Sequence, residues 1–299
     1  MSQSGTALIT GASSGIGATY AKRLAARGYD LILVARDQGR LTTLADALAK
    51  QHDIRVTVMA ADLTHEQDLQ RVESELANNA QITLLLNNAG MGVEGEFLEA
   101  DITRINSMLA LNILAPTRLA QAAGRAFKAR GNGIIINIAS VLSLVHEMFN
   151  GAYNATKSYV LTLTRAMQRE LAESGVQVQA VLPGATRTEI FDRAGQSIND
   201  IPAEMLMDVD EMVDAALAGL DSKETVTIPA LEDLQMWHDY DQARGTMVPH
   251  LSRNQSASRY RQPESAVSPN DCSPVSLKAR RSIIRACLRL RDRGSPDLL

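Results

Sequence analysis

Two cysteines in 299 residues, Cys272 and Cys287, both near the C-terminus, are too few and too poorly spaced for a disulfide framework. No Cys-x-x-Cys pair and no cluster of metal-ligand side chains appears, so no metal is expected. Such sparing use of cysteine suits a reducing compartment. No apolar run approaches the ~18 residues needed to cross a bilayer. Met1–Thr10 lacks the charged leader and cleavage site of an exported protein. A cytoplasmic protein without a membrane span is expected. An excess of positive charge is missing too. The formal net charge is −4 and the pI near 5.8, which argues against nucleic acid as the partner. What remains is ordinary globular material, 45% hydrophobic and 21% charged, enough for a sizeable core.

Short aliphatic and β-branched runs recur at residues 6–10, 31–35, 56–60, 82–86, 133–139, 176–182 and 225–228. They are continuously apolar rather than alternating, as strands are when both faces of a sheet are covered. Helical patterns lie between them, over 18–27, 41–51, 66–78, 115–130 and 154–173, with Gly28 and Gly175 in the position after a helix that favours glycine. Strand–helix alternation of this kind predicts an α/β fold. The expected form is a single Rossmann-like, doubly wound parallel sheet of about seven strands with helices on both faces. One domain, residues 1–260, accounts for the pattern.

Beyond it, residues 261–299 read as a tail outside the fold. The tail begins Ser/Pro-rich and is basic, since from Arg253 onward 10 Lys and Arg face 4 Asp and Glu. Lys278, Arg281, Arg285 and Arg289 share one face of a helical wheel, and Leu277, Ile283, Ile284, Cys287, Leu288 and Leu290 spread over the other side. That is the pattern of a basic amphipathic helix. A disordered or loosely packed tail fits the same residues.

The turn after the first strand reads Thr10-Gly11-Ala12-Ser13-Ser14-Gly15-Ile16-Gly17. In a doubly wound sheet this turn holds a dinucleotide pyrophosphate over the N-terminus of the first helix, and glycines let backbone approach phosphate. Nineteen positions after Gly17, at the end of the second strand, stands Arg36. A carboxylate at such a place accepts from the ribose of NAD, whereas an arginine suits the 2′-phosphate of NADP. NADP is therefore the expected cofactor.

The spacing Thr-Gly-x3-Gly-x-Gly resembles that of the short-chain dehydrogenase/reductase family, and further motifs agree. Asn87-Asn88-Ala89-Gly90 follows the fourth strand, Asn112 falls in the next helix, and Ser140 ends the fifth strand. Tyr153-Asn154-Ala155-Thr156-Lys157 reproduces Tyr-x3-Lys thirteen residues after Ser140. Pro183-Gly184 follows the sixth strand, with Thr186 and Thr188 beyond it, and Asp62-Leu63 follows the third. The likeness covers roughly residues 4–250. It implies a catalytic set of Asn112, Ser140, Tyr153 and Lys157. The implied cofactor contacts come from Gly11, Ser13–Gly17, Arg36, Asp62, Leu63, Asn88–Gly90, Tyr153, Lys157, Pro183, Gly184, Thr186 and Thr188. It also implies a homodimer or homotetramer built on helices 115–130 and 154–173.

Reduction of a carbonyl requires a hydride to carbon and a proton to oxygen. Tyrosine titrates near 10 when unperturbed, so the charge of Lys157, one helical turn away, together with that of an oxidised nicotinamide, is expected to favour the phenolate and lower it. Ser140 would hydrogen-bond the substrate oxygen. The resemblance adds that Lys157 holds the nicotinamide ribose and Asn112 a relay water. Ser143 and His146 also lie near Tyr153, but the interval favours Ser140 and a loop histidine is more often merely solvated.

The implied activity is hydride transfer between NADP(H) and a carbonyl or alcohol carbon of a small, apolar substrate. An NAD-linked alcohol dehydrogenase of the same fold and a non-catalytic nucleotide-binding relative are the alternatives. Phe191, Ile198, Ile201, Met205, Leu206 and Met207 are available to line the substrate pocket.

Overall fold

Seven short strands carry apolar side chains on both faces: β1 (Thr6–Thr10), β2 (Asp30–Ala35), β3 (Val56–Ala60), β4 (Ile82–Asn87), β5 (Gly133–Ile138), β6 (Val176–Val181) and β7 (Val226–Thr227). The computed structural model describes residues 5–145, 147–189, 198 and 201–261. All seven strands pair in parallel, in the order β3-β2-β1-β4-β5-β6-β7. Among the described residues the α-helices are α1 (Gly15–Ala26), α2 (Gln38–His52), α3 (Glu66–Asn78), α4 (Ile102–Leu109), α5 (Ala115–Arg130), α6 (Gly151–Leu171), α7 (Val209–Asp221) and α8 (Leu234–Met247).

The pleat explains why the strands are not amphipathic. Ala7, Ile9, Leu31, Leu33, Leu84, Leu86 and Ile136 point to one side, where Tyr20 and Leu24 of α1, Leu41 and Leu48 of α2, and Val213 and Leu217 of α7 cover them. Leu8, Ile32, Val34, Leu85, Ile135 and Val178 point to the other, against Leu69 and Val72 of α3, Leu119 and Phe127 of α5, and Met167 and Leu171 of α6. Each such side chain, fully buried, contributes about 1.5–3 kcal/mol. A polar residue on either face would therefore be costly.

Several boundaries differ from the sequence expectation. Helix α6 starts at Gly151 rather than 154, because the Asn150 carboxamide oxygen accepts the N–H groups of Ala152 and Tyr153 and caps it. It ends at Leu171, so Gly175 is not its C-terminal glycine. Gly175 sits at φ +73° in a later turn, where an added Cβ would meet the Gly131 oxygen at 2.3 Å. Gly28 does follow α1 with φ +82°. Helices α4, α7 and α8 were not among the expected segments.

The chain divides into two units, one ending at Glu232 and one starting at Asp233. In the second, α8 is capped by Asp233, and Trp237 stacks on Tyr240 at 5.6 Å. Residues 262–299, which hold the proposed basic helix, lie outside the described residues.

Candidate active site

Strand order reverses between β1 and β4. The chain leaves β1 toward α1 on one face and leaves β4 toward α4 on the other, opening a crevice at the strand C-termini. Gly11 turns there at φ +66°, and a Cβ on it would meet Asn88 Nδ2 at 2.7 Å and Ala89 Cα at 2.9 Å. A Cβ on Gly17 would strike the Gly11 oxygen at 2.3 Å. The turn is fastened to the exit of β4. The Thr10 hydroxyl accepts the N–H groups of Asn88 and Ala89, both at 3.0 Å, and donates to the Leu86 oxygen at 3.2 Å. Asn88 Nδ2 donates to the oxygens of Thr10 and Gly11 at 2.9 and 3.2 Å. Asn88 therefore shapes the turn with its side chain, and Thr10, quoted only as the opening of the motif, holds the other half of the clasp.

Past the turn, Ser13 is half-buried, Ser14 precedes α1 in extended conformation, and Ile16 packs on the core. The first turn of α1 holds no acidic residue. With Gly15 at φ +51°, these features fit the anionic pyrophosphate that such a turn holds. The segment after β6 runs back to the same place. A Cβ on Gly15 would lie 3.2 Å from Thr188 Cγ2, and buried Thr186 bonds the Gly184 oxygen at 3.1 Å. The Pro183 oxygen accepts the Val141 N–H at 3.0 Å.

Arg36 is 72% exposed at the end of β2, its guanidinium 4.0 Å from Asp62. Burial acts to raise the Asp62 carboxyl, but bonds from the Thr64 hydroxyl and N–H, with the charge of Arg36, outweigh it and hold it below its ordinary range. Leu63 is buried in the core. Asp37, next to Arg36, is engaged as the cap of α2, accepting the Arg40 N–H at 2.9 Å.

Tyr153 and Lys157 lie one turn apart on α6, both buried, with Lys157 Nζ 5.6 Å from the Tyr153 ring centre. Nζ donates to the Ile138 oxygen at 3.1 Å. Asn112 occupies a π-helical turn, Ala110–Leu114, between α4 and α5. The Ala115 N–H reaches back to the Ala110 carbonyl, and Pro116 has no N–H to offer the Asn112 carbonyl.

The Asn112 carboxamide is held on three sides. It accepts from the Met91 N–H at 2.9 Å, donates to the Met91 oxygen at 2.9 Å, and donates to the Thr156 hydroxyl at 3.1 Å. Thr156, beside Lys157, was passed over in the sequence. Gly90 completes the group, since a Cβ there would lie 3.3 Å from Asn112 Oδ1 and 3.6 Å from Lys157 Nζ. Ser140 stands two residues beyond β5, its Oγ accepting the Leu142 N–H at 3.1 Å. The Ser143 hydroxyl donates to the Ser140 carbonyl.

Around Tyr153 the wall is apolar, formed by Val93, Ile105, Met108, Leu142 and Phe149, the last meeting the phenol ring edge-on at 5.3 Å. None of these was among the expected lining residues, of which Met205 is exposed, Met207 packs on the core, and Phe191, like His146, lies outside the described residues.

Burial governs both titrating groups. It pushes the Tyr153 phenol up and pulls the Lys157 ammonium down to about 8. The bare site thus favours a neutral phenol, because no charge in it outweighs desolvation of a phenolate. Among the described residues no group of His, Cys, Asp and Glu is placed to hold a metal, and no helix is long and apolar enough to cross a membrane.

The sequence pattern of the short chain dehydrogenases matches residues 5–199. A solved short-chain dehydrogenase from Sphingobium yanoikuyae, in complex with NADPH, is 48% identical with a TM-score of 0.84, over 86% of this chain and 100% of that one. A bulky-bulky ketone specific alcohol dehydrogenase from Comamonas testosteroni is 44% identical with a TM-score of 0.81, over 87% of this chain and 100% of that one. An uncharacterized oxidoreductase from Staphylococcus saprophyticus is 30% identical over 76% of this chain and 95% of its own length.

Proposed function

This chain belongs to the short-chain dehydrogenase family of oxidoreductases, and we propose that it transfers a hydride between NADP(H) and the carbonyl or alcohol carbon of an apolar ketone or secondary alcohol. The observation that carries the reading is the buried cluster of Tyr153, Lys157, Asn112 and Thr156 under an apolar wall, beside a glycine turn shaped for a dinucleotide. A nicotinamide supplies or takes the hydride. In the reducing direction the Tyr153 hydroxyl gives its proton to the substrate oxygen, and burial keeps that phenol protonated until the transfer. Ser140 Oγ bonds the same oxygen and fixes its approach. Lys157, still mostly charged at neutral pH, stabilises the phenolate left behind. Asn112, locked by Met91 and Thr156, holds the relay that returns the proton.

Arg36 supports NADP over NAD, as does the engagement of Asp37, the next residue, in capping α2. The NADPH bound to the Sphingobium relative points the same way. The specificity of the Comamonas relative, with the wall of Met108, Leu142 and Phe149, supports a ketone carrying apolar groups on both sides. Exposed Leu109, Leu114 and Tyr159, beside α5 and on α6, support association of like chains there.

Screening ketones and aldehydes of increasing bulk while following NADPH absorbance tests the reading. Turnover of at least one bulky ketone is expected. Oxidation of no NADPH across the panel, with the cofactor bound, would leave a nucleotide-binding relative as the better reading.

A further inference from the structure

A second arginine stands near the adenosine end of the crevice, and it is occupied. Arg40 lies in the first turn of α2, one turn beyond Arg36. Its NH1 donates to both oxygens of Glu189, at 3.0 and 2.9 Å. Its Nε lies 3.5 Å from Asp37. Glu189 belongs to the segment after β6 and directly follows Thr188, which lies against Gly15 of the phosphate turn. The pair therefore bridges the ground between the glycine turn and the end of β2, where the ribose of a dinucleotide lies in a sheet of this kind. The contact is made by one guanidinium nitrogen to both carboxylate oxygens, a charge-assisted pairing that a phosphate oxygen can replace.

We infer that Glu189 competes with the cofactor for Arg40: its carboxylate holds the guanidinium in the free protein, and the 2′-phosphate of NADP takes it over on binding. The inference rests on the NADP reading above. The exchange breaks one ion pair and makes another, with no net loss of pairing for Arg40. Both partners are about half-exposed, at 49% and 45%. Pairs so placed are weak in water, so the phosphate can displace Glu189 at a cost of about two- to fivefold in affinity. NAD has no 2′-phosphate and leaves the pair in place. Glu189 thus lowers affinity for NADP alone.

The test is titration calorimetry of NADP+ and NAD+ with the parent chain, Glu189→Gln, Arg40→Gln and the double variant. Glu189→Gln should bind NADP+ about two- to fivefold more tightly and NAD+ unchanged. Arg40→Gln should weaken NADP+ alone. In the Arg40→Gln background the Glu189 change should have no further effect, because no guanidinium is left to withhold. The inference is overturned if Glu189→Gln weakens NADP+, if it moves both cofactors equally, or if its gain survives without Arg40. A parent that binds NAD+ as tightly as NADP+ overturns the cofactor reading first, and this inference with it.

Discussion

Replacing Lys157 by methionine should stabilise the cofactor-free chain near neutral pH while abolishing its activity. Burial lowers the ammonium from 10.5 to about 8. At about 1.4 kcal/mol per tenfold change in proton affinity, holding the charge inside the fold costs about 3 kcal/mol at pH 7. The sign follows from proton counting. Between pH about 8 and 10.5 the unfolded chain still carries a proton that the folded chain has lost, so the parent gains stability as pH rises through that window. Below it, both states are charged and the full cost is present.

Methionine removes the charge at similar volume, but leaves the Ile138 oxygen without its 3.1 Å donor, a loss of about 1 kcal/mol. The variant should therefore be more stable than the parent by about 2 kcal/mol at pH 7. By pH 10.5 that gain should be gone and the variant already slightly the weaker, reaching about 1 kcal/mol weaker above it. Urea unfolding of both proteins at several pH values measures the difference, in which all other titrating groups cancel. A variant destabilised equally at pH 7 and pH 10.5 would refute the reasoning, since the ammonium would then be supported by the fold rather than strained by it.

Tyr153→Phe should cut turnover by about 10²–10⁴-fold, with NADP+ affinity nearly unchanged by titration; near-normal turnover would remove Tyr153 as proton donor. Arg36→Asp should lower NADP+ affinity by about tenfold, the low end for a charged hydrogen bond because this guanidinium is 72% exposed, while NAD+ binding stays level or improves. Removal of residues 261–299 should leave the melting transition and NADP+ affinity intact, because the sheet and every site residue precede that segment; a misfolded product would extend the domain into it. Light scattering at micromolar concentration should give a dimer or tetramer mass, and a monomer would remove the association proposed for α5 and α6.

The sheet was legible because two-faced burial leaves a direct trace in composition: strands such as Leu84–Leu86 are apolar at every position. Helix α4 was not, since its eight residues alternate Ile102, Ile105 and Met108 with polar groups over barely two turns, too short for a period to register. Its start does have a signal, the Asp101 carboxylate accepting the Thr103 N–H, as does Asn150 for α6. Residues proposed to act through their own side-chain type, such as Arg36 and the Tyr153–Lys157 pair, can be picked out by spacing. Those that act on other residues could not. Thr10 and Thr156 are hydroxyls of ordinary kind until β4 and Asn112 are brought against them. The direction in which burial moves Tyr153 was hidden for a related reason. Spacing placed a cation one turn away, but the balance between that charge and burial depends on how much water the apolar wall excludes.

One residue links the backbone to the chemistry in a way composition does not suggest. Pro116 is well suited to the start of a helix, where it loses no bond. Here it sits in a helical run continuous from Ile102 to Arg130, and the bond it withholds is the one due to Asn112. The π turn before it carries Asn112 at the level of Met91 and Thr156, so that its carboxamide meets both. An alanine in place of Pro116 could restore a regular helix and would be the more stable choice on local grounds. That the chain keeps both a broken helix at Asn112 and a desolvated ammonium at Lys157, with Gly90 leaving room for each, places two local costs on the same few ångströms. Concentrated cost of this kind is what a preorganised site requires and a merely structural core does not.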